Sequence, residues 1–338
     1  MAYGSIGIDS INSSTGGLMT PSINSVNTFK FKNRIINGGM VIDQRNAGTE
    51  INPAVNNAYY LDRWQTLSTV ASKFKIGQDA GAVTSPVGFI DYLGCTSLSA
   101  YTVGAAEIYS VRQHIEGYNT ADLEWGTSAA LPVTLSFWVC SSVTGTFSGA
   151  LKNSDSSRSY PFNYTIDLAN TWEQKSITIP GDTTGTWLTT NGIGITVTFS
   201  LGTGSTFNSA ANTWATGDYT ASTDAISIVG TNAATWYITG VQLEKGTAAT
   251  SFDFRPYGTE LQMCQRYYEP RTVYSYAKGA QYNSAAYAFV AQYSTKRAVP
   301  LITCTATFAA PRAHTTTVAL LTATSPLDGA TVFINAEL

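Results

Sequence analysis

Apolar and polar residues alternate along most of this chain with a period of two. In "VTLSFWVCSS", Val133, Leu135, Phe137 and Val139 fall on one face and Thr134, Ser136, Trp138 and Cys140 on the other. In "SYPFNYTIDL", Tyr160, Phe162, Tyr164, Ile166 and Leu168 share a side. The cleanest case is "GIGITVTFSLG", where Ile193, Ile195, Val197, Phe199 and Leu201 oppose Gly194, Thr196, Thr198 and Ser200. Side chains of a strand point alternately to its two faces, so these runs predict strands with one face buried. Met40, Ile42 and Gln44 alternate with Val41, Asp43 and Arg45, which predicts a further strand. In "WYITGVQLEKG", Tyr237, Thr239, Val241 and Leu243 alternate with Trp236, Ile238 and Gln242, and Phe252 and Phe254 alternate around Asp253.

Turn-rich pieces such as "IPGDTTGTW" and "LGTGSTFNSAANTWATGDYTASTD" separate the runs. Many short strands punctuated in this way predict an all-β fold, an antiparallel jelly-roll or β-sandwich. No helical pattern alternates with the strands, which argues against a parallel α/β fold. Helix is expected only in "GTELQMCQRYYE", with Thr259 as N-cap and Leu261, Cys264 and Tyr268 on one stripe. Pro256 removes a backbone donor and fixes φ, which ends the preceding ladder.

These patterns divide the 338 residues into four parts. Residues 1–33 are a Gly/Ser/Asn/Thr-rich N-terminal segment with too few large apolar side chains for a core. Its brief alternation at Ile6 and Ile8 predicts strand addition to another chain. Residues 34–255 form the sandwich, and 256–270 a partly helical connector. Residues 271–338 form a small C-terminal β domain, short for independent stability, with "GATVFINAEL" as a strand running to the last residue.

Composition sharpens the picture. Hydrophobic residues are 43% of the chain but charged residues only 12%, against roughly 25% in ordinary globular domains. Polarity therefore comes from Thr, Ser, Asn and Gly, which suits contact with neutral ligands. A formal net charge of −3 and the lack of a basic stripe exclude nucleic acid as an expected partner. No apolar run reaches the roughly 20 residues of a membrane helix, so no membrane partner is expected. "MAYGSIGIDSINSSTGG" lacks the basic start and apolar block of a secretory signal. Cys95, Cys140, Cys264 and Cys304 are widely spaced and read as buried thiols.

Four segments occur in order: "KNRIINGGMVIDQRN", "YYLDRW", "LSFWVCSS" and "WYITGVQLEKGTAATSFDFRPYGTELQMCQRYYE". Together they resemble a family of bacteriophage structural proteins described as tail-fibre or tail-fibre-like, and the final "AEL" resembles how such chains end. The resemblance implies a central jelly-roll domain similar to carbohydrate-binding modules and a homotrimer carried on the virion, at the tail or the capsid surface. It also implies that the N-terminal segment contacts other virion structural proteins. The expected function is that of a tail fibre or receptor-binding protein attaching to host surface glycan. The alternatives are a capsid head fibre or cement protein and, third, a polysaccharide depolymerase.

Catalytic machinery is not evident. There is no GxSxG, no HExxH and no phosphate-cradling loop, and only two histidines, His114 and His314, are present. No catalytic residue, cofactor or metal is assigned. Asp155, Asp182, Asp218 and Asp224 are loop acids that only tertiary structure could pair for glycosidic cleavage. "GDTTGT" and "ATGDYTASTD" mix Asp with carbonyl-rich turns suited to hard cations, but neither matches an EF-hand loop. Asp62 and Arg63 in "LDRW" read either as a buried pair or as a solvated one. Glycan sites want aromatic rings beside Asn, Asp, Gln or Thr. Trp138 and Trp236 in strands, and Trp64 and Trp125 at turn–strand junctions, read as structural. Trp187 and Trp214 sit in polar loops, and with Tyr219 they are the candidate glycan contacts. Packing beneath a loop or at a subunit interface is the competing reading.

Overall fold

The computed structural model describes residues 11–12, 18–19, 31–52, 57–81, 83–273, 281–283, 286–305, 309–323 and 330–338. The chain divides into two compact units, Met1–Lys32 and Asn33–Leu338. In the first, β1 (Ile11–Asn12) pairs antiparallel with β2 (Leu18–Met19). The alternation at Ile6 and Ile8 lies outside the described residues.

The second unit is built on two facing sheets. Its strands in chain order begin with β3 (Tyr59–Leu61), β4 (Trp64–Ser68), β5 (Phe74–Gln78), β6 (Leu93–Ser97) and β7 (Ile108–Glu116). There follow β8 (Val133–Ser141), β9 (Gly145–Lys152), β10 (Arg158–Ile166), β11 (Glu173–Ile179) and β12 (Ile193–Thr203). The short β13 (Asn208–Ser209), β14 (Ala215–Thr216) and β15 (Ala221–Ser222) precede β16 (Thr235–Lys245). One sheet has seven strands in the order β14-β10-β9-β12-β7-β4-β3, and the other five in the order β11-β8-β16-β6-β5. Every pairing within these two sheets is antiparallel. The fold is thus an all-β jelly-roll sandwich.

The period-two reading of β12 holds: Ile195, Val197, Phe199 and Leu201 are all buried in the core between the sheets. Phe199 is its hub. Its ring lies 5.1 Å from Phe137 of β8, 5.8 Å from Trp236 of β16 and 6.5 Å from Trp64 of β4, so it ties the two sheets together.

Strand β16 departs from simple alternation. Trp236 and Ile238 face the main core, and so do Val241 and Leu243, while Tyr237 packs on the outer side with Tyr92 and Cys140. A β-bulge between Thr239 and Gln242 swaps the parity. Gly240 sits there at φ +61°, with the Phe89 ring 2.6 Å from where a Cβ would lie, so only glycine fits. The predicted strand at residues 40–45 does not form. Instead Asn37 to Met40 make a turn, closed by a 3.2 Å bond from the Met40 N–H to the Asn37 carbonyl. Phe252 and Phe254 are likewise outside any strand and form an aromatic triad with Phe89.

Helix α1 spans Tyr257–Gln265 with Pro256, not Thr259, at its N-cap. Pro256 therefore starts the helix as well as ending the extended chain. Tyr268 belongs to the next strand, not to a helical stripe. Beyond α1 come β17 (Tyr268–Val273), β18 (Gln281–Asn283), β19 (Ala286–Gln292), β20 (Leu301–Cys304), β21 (Ala309–His314), β22 (Val318–Ala323) and β23 (Ala330–Asn335). They make a three-stranded sheet, β17-β23-β20, and a four-stranded one, β18-β19-β22-β21.

The last strand stops at Asn335, and the residues after it serve as a clasp. The Glu337 carboxylate pairs with Arg45 at 2.8 Å and with the buried Arg63, whose guanidinium lies 3.5 Å from the Tyr267 ring centroid. Arg297 donates to the carbonyls of Ala336 and Glu337 at 2.6 and 2.7 Å. Asp62 and Arg63 are both buried, but they do not pair with each other. Asp62 accepts from the Gln44 backbone and side chain, both at 2.7 Å. Cys95, Cys140 and Cys264 are buried, whereas Cys304 is half-buried.

Candidate functional site

Two concave features stand out on the sandwich. The first lies among loops. Trp125 follows a 3-10 turn at Ala121–Leu123, while Trp187 and Trp214 come from the polar loops after β11 and β13. The three rings meet edge to face: 4.6 Å between Trp125 and Trp187, 5.4 Å between Trp125 and Trp214, and 5.5 Å between Trp187 and Trp214. Tyr160 of β10 backs Trp214 at 5.1 Å. Each indole N–H donates to a backbone carbonyl: Trp125 to Leu131 at 2.7 Å, Trp187 to Thr184 at 3.1 Å and Trp214 to Pro180 at 2.8 Å. Rings held by both ends cannot swing, so this surface is pre-formed.

The loop carrying Trp187 is folded around Asp182. This buried carboxylate takes two bonds from Arg158, at 2.7 and 2.9 Å, and two from Thr184, at 3.1 and 3.0 Å. Gly185 sits at φ +77° with Arg158 Cγ 2.5 Å from where a Cβ would lie. Trp125 and Trp187 wall a hollow of about 260 Å³ whose other sides include Thr120, Glu124, Thr127 and Thr189. Its lining does not include Trp214 or Tyr219. Trp214 supports the other two rings from behind. Tyr219 lies apart from them, its backbone N–H bonded to Ser159 Oγ at 3.0 Å.

The second feature is a groove of about 300 Å³ on the outer face of the seven-stranded sheet. Cross-strand register builds it. Gln65 of β4 is opposite Arg112 of β7, His114 of β7 is opposite Thr196 of β12, and Thr196 is opposite Lys152 of β9. The inward residues of these strands fill the core, so these polar partners must point outward. Arg112 Nε donates to Gln65 Oε1 at 2.7 Å, and a terminal nitrogen donates to Asn57 Oδ1 at 2.6 Å. His114 Nε2 lies 3.2 Å from the same Gln65 oxygen and Nδ1 2.8 Å from Thr196 Oγ1. Since Arg112 only donates, the Gln65 atom is an oxygen, and His114 carries a proton on Nε2; the Thr196 hydroxyl can complement Nδ1 in the neutral form by donating to it. Burial first, and then the neighbouring Arg112, Arg63 and Lys152 charges, hold the His114 pKa well below the usual histidine range.

Segment 217–222 covers one end of this face. Lys152 Nζ reaches Asp218 and Thr220 at 2.6 Å each, and the Ser222 N–H donates to Ser148 Oγ at 2.8 Å. The loop acids thus have different roles. Asp182 and Asp218 hold cations, Asp155 accepts from the Ser157 backbone and hydroxyl at 3.1 and 2.7 Å, and Asp224 is exposed. Among the described residues no group of three or more His, Cys, Asp or Glu could hold a metal ion, and no helix is long and apolar enough to cross a membrane.

The sequence reading took Trp125 as structural and did not single out the outer-face row as a site. For Trp125 the signal was weak, a single ring beside Gly126. For the row it was present in "IYSVRQHIE", whose alternate positions Ser110, Arg112, His114 and Glu116 form a polar face of unusual charge for this chain.

No protein-family model matches the chain, and no curated protein matches it. Among solved structures it is similar to the enzymatically active domain of tailspike protein 4 of bacteriophage CBA120. That match has 11% identity over 58% of this chain and 22% of that one, with a TM-score of 0.32. It is also similar to the module TmCBM61, solved with β-1,4-galactotriose, at 10% identity over 64% of this chain and 99% of that one, TM-score 0.32. A family 11 carbohydrate-binding module from Clostridium thermocellum, solved with a mixed-linked tetrasaccharide, matches at 11% identity over 59% of this chain and 98% of that one, TM-score 0.30. TM-scores this low assign this chain neither relatives nor an activity. The chain spans about a fifth of the tailspike's length.

Proposed function

We propose that this protein is a structural component of a bacteriophage particle, a homotrimeric tail fibre or receptor-binding protein that attaches to host surface glycan through the Trp125–Trp187 hollow. The observation that carries the glycan reading is the hollow itself. Two immobilised indole rings stand beside Thr120, Thr127, Thr189 and Glu124. A sugar ring offers C–H bonds to an aromatic face and hydroxyls to such polar neighbours. Rings already fixed by their N–H bonds lose little entropy when a ligand docks. Binding at one hollow is weak, and copies on a trimer strengthen it by raising the effective concentration of the remaining sites. The virion placement is supported by the ordered segments from "KNRIINGG" to "CQRYYE", with residues 1–33 contacting other virion proteins.

The test is a glycan-binding titration with neutral oligosaccharides of host surface polysaccharide. Glu124→Gln, on an exposed residue, should weaken binding several-fold without changing the melting temperature. Trp187→Ala should weaken it at least tenfold, while destabilising the fold by about 1–3 kcal/mol through two lost edge-to-face contacts. Unchanged affinity in both variants would remove the hollow from the binding site. Immunogold labelling of intact particles checks the placement, and density on the head rather than the tail would replace the fibre with a capsid protein.

A further inference from the structure

We propose that the groove on the outer face of the seven-stranded sheet is a second saccharide subsite, which takes a sugar bearing an oxyanion, a uronic carboxylate or a phosphate ester, on Arg112. Its residues are separate from those of the tryptophan hollow, and the inference stands whether or not that hollow binds glycan.

Charge pairing comes first. Three other cations near this face have an acid: Lys152 has Asp218 at 2.6 Å, Arg158 has Asp182 at 2.7 Å and Arg63 has Glu337, while Arg297 is held by the carbonyls of Asn191, Ala336 and Glu337. Arg112 makes no ion pair among the described residues. Its two protein acceptors are the neutral carboxamides of Gln65 and Asn57. One terminal nitrogen is left with no protein acceptor, so part of the guanidinium fork is open towards the groove. Burial works against this charge, and pushes the Arg112 pKa down. A carboxylate or phosphate in the groove would supply the missing counter-charge and a two-point hydrogen-bond geometry at once.

Rigidity comes second. Gln65 holds Arg112 from one side and His114 from the other, and its amide nitrogen is bonded to the Asn57 carbonyl at 2.9 Å. The guanidinium is thus aimed before any ligand arrives, on adjacent strands rather than on a loop. Neutral His114 maintains this network without adding an ionisable competitor.

Size and lining come third. About 300 Å³ is at the lower end of small-molecule sites, enough for a sugar ring but not for a folded peptide. Ser154 and Ser156, on the turn between β9 and β10, bring hydroxyls to the rim for a sugar's own hydroxyls.

The experiment is calorimetric titration with trigalacturonate, galactotriose and glucose 6-phosphate, with and without inorganic phosphate as competitor. At least one acidic probe should bind more tightly than galactotriose, with affinity falling as salt rises. Arg112→Gln should reduce that binding at least tenfold, and Arg112→Lys should restore part of it. If Arg112→Gln lowers the melting temperature, Ser154→Asp, which sets an acid on the rim and leaves Arg112 in place, should cause the same loss. Competition by inorganic phosphate would show that the subsite reads the oxyanion. Resistance to it, with trigalacturonate still bound, would show that it reads the uronic sugar as a whole. Equal affinity for acidic and neutral probes, no binding of either acidic probe, or acidic binding indifferent to both Arg112→Gln and Ser154→Asp would overturn the proposal. Trp187→Ala should leave acidic binding intact. Loss of it in that variant, with Arg112→Gln silent, would leave the hollow as the site and remove the groove.

Discussion

The hollow and the groove sit on the same sandwich, yet they are held in place by different physics. The hollow's aromatic walls come from loops, and each ring is tethered by one backbone hydrogen bond and by its aromatic neighbours. The groove's floor is made of strand residues placed by ladder register, with Asn57, Ser154, Ser156 and Leu338 around it, and its central polar groups are tethered to one another. The first is uncharged but for Glu124, while the second holds a cation without an acid. A polar surface of low charge density is therefore not a uniform one: charge is concentrated where a sheet can hold it rigid.

Three changes should break or sharpen this contrast. The largest effect is expected from Glu337→Gln. It leaves the buried Arg63 without its acid, and removing one member of a buried pair costs about 3–5 kcal/mol. Denaturant midpoints measure the loss. The groove should suffer with it, because Leu338 forms one of its walls and Arg63 holds the His114 carbonyl. The near-ultraviolet circular dichroism of the tryptophan cluster should persist below the unfolding transition. A Glu337→Gln protein as stable as the original would show that the clasp contributes nothing.

Gly185→Ala acts on the other side of the comparison. A methyl at φ +77°, driven into Arg158, costs about 1–3 kcal/mol and shifts the loop that carries Trp187. Neutral-glycan affinity should fall while acidic-probe affinity stays. A fall in both would mean that the two features are coupled.

The smallest effect is in pH dependence. His114 is neutral when folded, with its pKa held well below 6.5, but protonates in the unfolded chain. Its contribution is fully present above pH 6.5 and is lost as pH falls, at up to about 1.4 kcal/mol per pH unit. Asp62 works the other way. Burial raises its pKa to about 6, so the folded state takes up that proton first and gains stability as pH falls from about 6 towards 4. The readout is therefore a difference: between pH 7 and 5 the parent should lose about 1–2 kcal/mol more than His114→Gln. Parallel curves would mean that His114 is solvated or charged.

Much of the fold could be read from the chain. Strands β8, β10 and β12 appear where alternation places them, because a buried face demands an apolar residue at every second position. The reading failed where geometry broke the period. In β16 the bulge at Gly240 gives inward positions to Trp236, Ile238, Val241 and Leu243, and no one-dimensional pattern registers that slip. At residues 40–45 alternation was present, but the Asn37–Met40 turn left no ladder to join. Of the candidate glycan contacts, Trp187 and Trp214 come together and Tyr219 lies elsewhere, since polar loops carry no periodicity that fixes their neighbours.

The amino-acid order by itself determined the class of fold, the low charge and the residues available for chemistry, because local side-chain period and composition are properties of the chain alone. Only tertiary structure decided which of those residues meet. It set Trp125 against Trp187, gave Arg63 rather than Arg112 an acid, and drew a glutamate from the end of the chain into the sandwich. Such pairings depend on strand register and loop path over tens to hundreds of residues, which the cooperative packing of both sheets settles at once.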